Sequence, residues 1–276
     1  NTEINSILYD YGFAPKFPKE VEKSATSIAK KISVEEIKNR LDLRKTTTFT
    51  IDPKDAKDFD DALSVKKLTN GNWEIGVHIA DVSHYVKKGG IIDKEAVERA
   101  TSVYLVDRVI PMLPEILSNN ICSLKPNVDR LAYSVLFEMD EKANLVDYKI
   151  AKTVIHSDVR FTYQTAQDVI DNKKGELSVE LLLLDKLSKV LRIKRQKKGS
   201  INFESTEVKF ILDKDNNPID VYFKESLSTN HLIEEFMLLA NKTVAKHIGF
   251  PKKDAKSFVY RVHDLPDTDR ISTLNN

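Results

Sequence analysis

Thr48-Phe49-Thr50-Ile51-Asp52-Pro53-Lys54-Asp55-Ala56-Lys57-Asp58-Phe59-Asp60-Asp61-Ala62-Leu63 decides how this 276-residue chain is read. The β-branched and aromatic residues 48–51 predict one strand, and Ala62 to Leu68 predicts another. Residues 52–61 hold five aspartates and two lysines, a local charge of −3. If the end of this stretch enters the second strand, side chains alternate there, so Asp58 and Asp60 share a face. Asp61 then points the other way or sits at a bend, and Asp52 closes back across a loop beginning at Pro53. Carboxylates held this close raise one another's pKa unless a cation neutralises them. An all-oxygen donor set selects a hard ion, Mg2+ or Mn2+. The plain alternative is a solvated acidic turn. Against it, Phe49, Ile51, Phe59, Ala62 and Leu63 flank the acids and draw part of the cluster inward. A calcium EF-hand loop fits badly, because it needs Gly at its sixth position and Glu at its twelfth. Counting from Asp52 these are Lys57 and Leu63, and from Asp58 they are Leu63 and Thr69.

Outward from this stretch, Asn70-Gly71 predicts a hairpin turn, with the returning strand at 73–82. Further strands are expected at 131–139, 145–155, 206–212 and 219–223, with a last strand-like run at 257–262. Helical patterns occupy 91–102, 162–172, 178–197 and 229–247, and a capped helix begins at Pro266. Residues 1–45 read as a helical linker preceding the main domain. There Ser33 and Glu36 have capping-box spacing, and Val34, Ile37 and Leu41 recur at helical intervals. Alternating strands and helices predict an α/β or α+β domain at 46–276, built round a mixed sheet.

Lysine and arginine number 43 against 42 aspartate and glutamate, a net charge of +1. A nucleic-acid role would therefore rest on local segregation of charge rather than on a basic surface overall. The longest apolar run is short (Phe236 to Ala240), whereas a membrane helix needs about 20 such residues. Cys122 is the single cysteine, which excludes an intrachain disulfide. A cytoplasmic globular protein with no membrane partner is expected.

Several blocks together resemble the ribonuclease II/ribonuclease R exoribonuclease family, on its bacterial ribonuclease R side. They are residues 50–62, His78-Ile79-Ala80-Asp81-Val82-Ser83-His84-Tyr85-Val86, Arg108-Val109-Ile110-Pro111-Met112-Leu113-Pro114 and Cys122-Ser123-Leu124-Lys125-Pro126. Ile233-Glu234-Glu235-Phe236-Met237 and Tyr260-Arg261-Val262-His263-Asp264 complete the series in the family's order. The resemblance implies an RNB-type catalytic domain and processive 3′→5′ hydrolysis of single-stranded RNA to nucleoside 5′-monophosphates. It places the catalytic and metal-binding aspartates at Asp52, Asp58, Asp60 and Asp61, with Asp55 a bystander, and implies two Mg2+ ions. Its partners would be an RNA 3′ end and RNA-degradation machinery or the ribosome. The competing expectation is an inactive RNA-binding scaffold with the same fold.

In the same family, aromatic side chains clamp the terminal bases, and the matching positions are Tyr104 and Phe203. By composition alone Tyr104 would be a core aromatic. Tyr163 and Glu234 match ribose-contacting positions, and Arg108, Arg160 and Arg261 lie in matched blocks expected to line the RNA channel. The run 192–198 carries +5, which suits either a helix C-terminus or phosphate contact. The spacing of His78, His84 and His263 suits structural hydrogen bonding better than metal ligation. A Ser-Pro-Ile-Arg-Arg-Tyr-like block, which supplies the family's catalytic arginine, has no counterpart here. The chain is accordingly expected to be a piece of a longer protein and weak or inactive alone.

Overall fold

The β-branched run at 48–52 forms a strand, and the chain builds a seven-stranded mixed sheet around it. The structure, a computed structural model, describes residues 2–28, 31–106, 108–200, 207–214, 218–251, 254–260, 262 and 264. Helices α1 (Thr2–Asp10), α2 (Lys19–Thr26) and α3 (Val34–Lys38) come first. They lead into β1 (Leu41–Asp42), β2 (Thr48–Asp52), β3 (Asp61–Lys67) and β4 (Trp73–Ala80). Two helices, α4 (Val82–Tyr85) and α5 (Ile91–Arg99), precede the short pair β5 (Val103–Tyr104) and β6 (Val109–Ile110). A π-helical turn at Leu117–Ile121 leads to the long strands β7 (Asp129–Met139) and β8 (Leu145–His156), then β9 (Val159–Thr162). The remaining elements are α6 (Tyr163–Asn172), α7 (Ser178–Gln196), the hairpin β10 (Glu207–Leu212) and β11 (Pro218–Lys224), and α8 (Ser228–Gly249).

Strand order in the sheet is β1-β8-β7-β4-β3-β2-β9. The outer pairs β1–β8 and β2–β9 are parallel, and the others are antiparallel. All five residues of β2 are buried, as are four consecutive residues of β3, because both sheet faces are covered near the middle. One buried cluster joins Val21 and Ala25 of α2 to Leu43, Phe59, Ala62, Leu117, Leu124 and Ile155. The first 45 residues thus contribute side chains to the same core as the sheet. The chain divides into two compact units, residues 1–236 and 237–276. In the second, Phe250 and Phe258 both pack their rings on Tyr260, at 6.1 and 5.9 Å between centroids. Among the described residues no helix is long and apolar enough to cross a membrane.

Local expectations fail where tertiary contacts override periodicity. The helix capped by Ser33 stops at Lys38, and Leu41 is instead a strand residue paired with Thr153 of β8. Residues 257–260 form no strand. The helix at 91 ends at Arg99 because Ala100 turns left-handed, with φ 60°. The helix expected from Pro266 lies outside the described residues.

Candidate active site

Asp52 is the last residue of β2 and Asp61 the first of β3, so a loop with a carboxylate at each end joins this antiparallel pair. Asp58 and Asp60 do not enter β3; they belong to the loop, and alternation along a strand does not apply to them. The parallel register of β2 with β9 sets Thr50 beside Arg160 and Asp52 beside Thr162. Thr162 caps α6, its hydroxyl accepting the Thr165 N–H at 3.0 Å. The following residue, Tyr163, therefore stands at the mouth of the strand pair.

Loop 53–60 contains no helix or strand; besides one turn bond of its own, from the Ala56 N–H to the Pro53 carbonyl at 3.2 Å, its backbone is held from the sheet and its connections. Arg160 Nη2 donates to the carbonyls of Pro53 and Lys54 at 2.6 and 3.0 Å. The Ala80 N–H donates to the Asp60 carbonyl at 2.9 Å, and the Leu124 N–H to the Phe59 carbonyl at 2.8 Å. Phe59 is 8% exposed and anchors the loop in the core, a burial contributing about 2 kcal/mol.

Electrostatics separate the acids. Burial pushes the Asp52 carboxyl up to about 6, partly opposed by the Thr50 hydroxyl and the Arg160 guanidinium, with Asp58 and Asp60 raising it further. Burial, then the charges of Asp52 and Asp60, push Asp61 up to about 7. Asp60 is raised by desolvation and by Asp58, although its exposed side chain lets solvent screen much of that effect. Asp52 Oδ2 and Thr50 Oγ1 are both buried; the hydroxyl lies near enough to lower the Asp52 pKa, but neither atom makes a well-directed hydrogen bond among the described residues. A buried carboxylate oxygen without a donor calls for a cation.

Among the described residues no three His, Cys, Asp or Glu side chains converge closely enough to hold an ion; the four carboxylates are spread along the loop. The donor chemistry nonetheless fits a hard divalent ion: all oxygen, mutually repelling, with one buried oxygen orphaned.

Tyr104 is not a core aromatic. It lies on β5, 69% exposed, and its hydroxyl is raised by desolvation and then by the charges of Asp58 and Asp60, so the ring stands near the acidic loop. Tyr163 is pushed up to about 12 by burial and by Asp61 and Asp52. Arg160 holds the loop backbone. Arg108 sits just before β6, its carbonyl accepting from the Leu105 N–H at 2.8 Å. Glu234 is bound within the protein: Arg195 Nη2 lies 3.1 Å from Oε1, and His231 Nδ1 lies 3.4 Å from Oε2. Phe203 and Arg261 lie outside the described residues.

The model of the RNB domain family matches residues 40–276. The chain belongs to this family. It is similar to ribonuclease R of Thermotoga maritima, 45% identical over 98% of this chain and 38% of the relative. Among solved structures it is similar to Mycoplasma genitalium RNase R in complex with double-stranded RNA, with a TM-score of 0.89 at 31% identity, covering 99% of this chain and 48% of that one. The same Mycoplasma protein with ribose-methylated single-stranded RNA gives a TM-score of 0.87, over 99% and 42%. The chain spans less than half the length of the curated ribonuclease R relatives it matches.

Part of this RNB domain's site was invisible to sequence reasoning. Asn230 of α8 lies near enough to Tyr163 to lower its pKa slightly against the effect of burial. Arg195, from the basic run 192–198, pairs with Glu235 at 2.6 Å as well as with Glu234, so this cation is committed within the protein. Each of these partnerships spans about 40 residues or more, beyond the reach of a local pattern. His78 is a structural residue as its spacing suggested, fully buried between Ser64 and Ser134 at 2.8 and 2.7 Å.

Proposed function

We propose that this RNB domain is the catalytic part of a divalent-metal-dependent 3′→5′ exoribonuclease that degrades RNA processively to nucleoside 5′-monophosphates. The observation carrying this reading is the acidic loop, where Asp52 and Asp61 are raised far above ordinary carboxylates and Asp52 Oδ2 has no donor. Burial and mutual repulsion make these acids harder to ionise, and a bound cation would relieve both. Asp52, Asp58, Asp60 and Asp61 would hold Mg2+ or Mn2+, two ions in this reading. Bound there, the ions would prepare hydroxide for in-line attack on the terminal phosphodiester and stabilise the leaving 3′ oxygen.

The chain's own residues orient the substrate. Tyr104, exposed beside the loop, stacks on a terminal base whatever its identity. Phe203 serves as its partner in the clamp. Tyr163 and Glu234 meet the ribose, where a 2′-hydroxyl needs a donor or acceptor. Arg108 and Arg261 line the path of the phosphates, and Arg160 keeps the acidic loop closed against β9. Residues 46–276 form the catalytic domain, with 1–45 leading into it. The enzyme works in the cytoplasm on single-stranded 3′ ends, with RNA-degradation machinery or the ribosome as its partner.

One observation favours a second reading, an RNA-binding scaffold without chemistry: no three metal-type side chains converge among the described residues. A single assay separates the two. The intact protein is incubated with 5′-labelled single-stranded RNA, with Mg2+ and with EDTA. Shortening from the 3′ end with release of 5′-monophosphates, stopped by EDTA, is expected. RNA that is bound but never shortened establishes the scaffold; shortening indifferent to EDTA refutes the metal.

A further inference from the structure

The acidic loop has a support that the proposed reaction leaves unused. Ser123, in the turn after the π-helical segment, is fully buried. Its hydroxyl accepts the Phe59 N–H at 3.0 Å and donates to the Lys57 carbonyl at 2.9 Å. These two groups flank Asp58, so one hydroxyl bridges the backbone across an acidic residue. The next residue continues the support, the Leu124 N–H donating to the Phe59 carbonyl. Ser123 is itself held from the sheet: its carbonyl accepts Arg130 Nε at 2.8 Å, while Arg130 Nη2 donates to the Asn120 carbonyl at 3.0 Å.

Serine is an expensive choice for this position unless its hydroxyl is needed. The neighbours Leu117, Ile121, Cys122 and Leu124 are all buried and apolar, and a hydroxyl among them must be satisfied by partners. The partners it takes are the two backbone groups on either side of Asp58. No helix or strand ladder holds residues 53–60, so these tertiary bonds set the backbone there. Mutual repulsion of the carboxylates would otherwise open the loop.

We propose that Ser123 is a positioning residue for the acidic loop, its hydroxyl fixing the backbone on both sides of Asp58 and next to Asp60, the two acids that would serve a divalent cation. This rests on the reading that the aspartates bind metal. The test is Ser123→Ala in the intact protein, read by calorimetric titration with Mn2+ and by amide hydrogen exchange over residues 57–61. Loss of two buried hydrogen bonds predicts Mn2+ binding about tenfold weaker and exchange at Phe59 at least about tenfold faster. Affinity for single-stranded RNA in EDTA stays within about twofold, because no base or phosphate contact is removed. Ser123→Cys keeps the size and a weak S–H donor, and is expected to fall between the two. It also serves as the test variant should alanine fail to fold. Unchanged Mn2+ affinity in the folded variant, or unchanged exchange at Phe59, overturns the inference. Failure of the unsubstituted protein to bind Mn2+ removes the metal reading itself and this inference with it.

Discussion

Arg160 donates to the Pro53 carbonyl at 2.6 Å and, from the same nitrogen, to the Lys54 carbonyl at 3.0 Å, tying β9 to the start of the acidic loop. Its Cζ also lies 5.4 Å from the Phe59 ring centroid, and its charge opposes the rise in the Asp52 pKa. One side chain therefore holds the start of the loop and partly offsets the effect of burial on its first acid.

Replacing Arg160 with lysine keeps a charge but ends it on a shorter, unbranched stem, which takes the donor away from the Nη2 position that meets both carbonyls. We expect kcat to fall about tenfold, the cost of weakening one or two charge-assisted bonds, with KM changed less. Steady-state kinetics on a short single-stranded RNA measure both; a KM effect alone would assign Arg160 to substrate binding instead.

Asp60→Asn removes a charge at the exposed lip of the cluster while leaving the shape of the loop. Turnover is expected to fall by about 10³-fold or more, with RNA affinity largely intact. Normal turnover by this variant would falsify the assignment of the acidic loop to chemistry.

The raised acids set the pH dependence of the metal-free protein. Folded values of about 6 for Asp52 and about 7 for Asp61 exceed the ordinary carboxylate value near 4. A carboxyl raised on folding stabilises the fold below its unfolded pKa, and that contribution is lost as pH rises through the folded pKa. The window is therefore about pH 4 to 7. His78, depressed to about 3 by burial, acts in the opposite direction and is common to any pair of variants compared. In EDTA, Asp61→Asn should match the unsubstituted protein below about pH 4, melt progressively higher than it between about pH 4 and 7, and keep that gap at pH 8. Mg2+ should narrow the gap. A melting difference independent of pH sinks the account.

Gly76 of β4 lies opposite Ser64 of β3, and a Cβ there would collide with the Ser64 hydroxyl and the His78 ring. Gly76→Ala must therefore break the buried Ser64–His78–Ser134 chain or push the strands apart. A loss of about 2–4 kcal/mol is expected in denaturant unfolding. A loss below about 0.5 kcal/mol would show that the sheet relaxes freely at this position.

The sequence by itself determined the strands flanking the acidic loop, the Asn70-Gly71 hairpin, the helices α6, α7 and α8, and the concentration of aspartates at 52–61. These are local patterns, and a side-chain period or turn dipeptide reports local burial directly. Tertiary structure alone decided that Leu41 joins β8 rather than a helix, that Asp58 and Asp60 stay outside β3, and that Tyr104 is exposed beside the acids. It also decided which distant groups hold the loop: Ser123, Leu124, Ala80 and Arg160, 20 or more residues from the acids they position. A loop without its own ladder takes its shape from whatever satisfies its backbone polar groups, and those partners are chosen by the packing of the whole sheet.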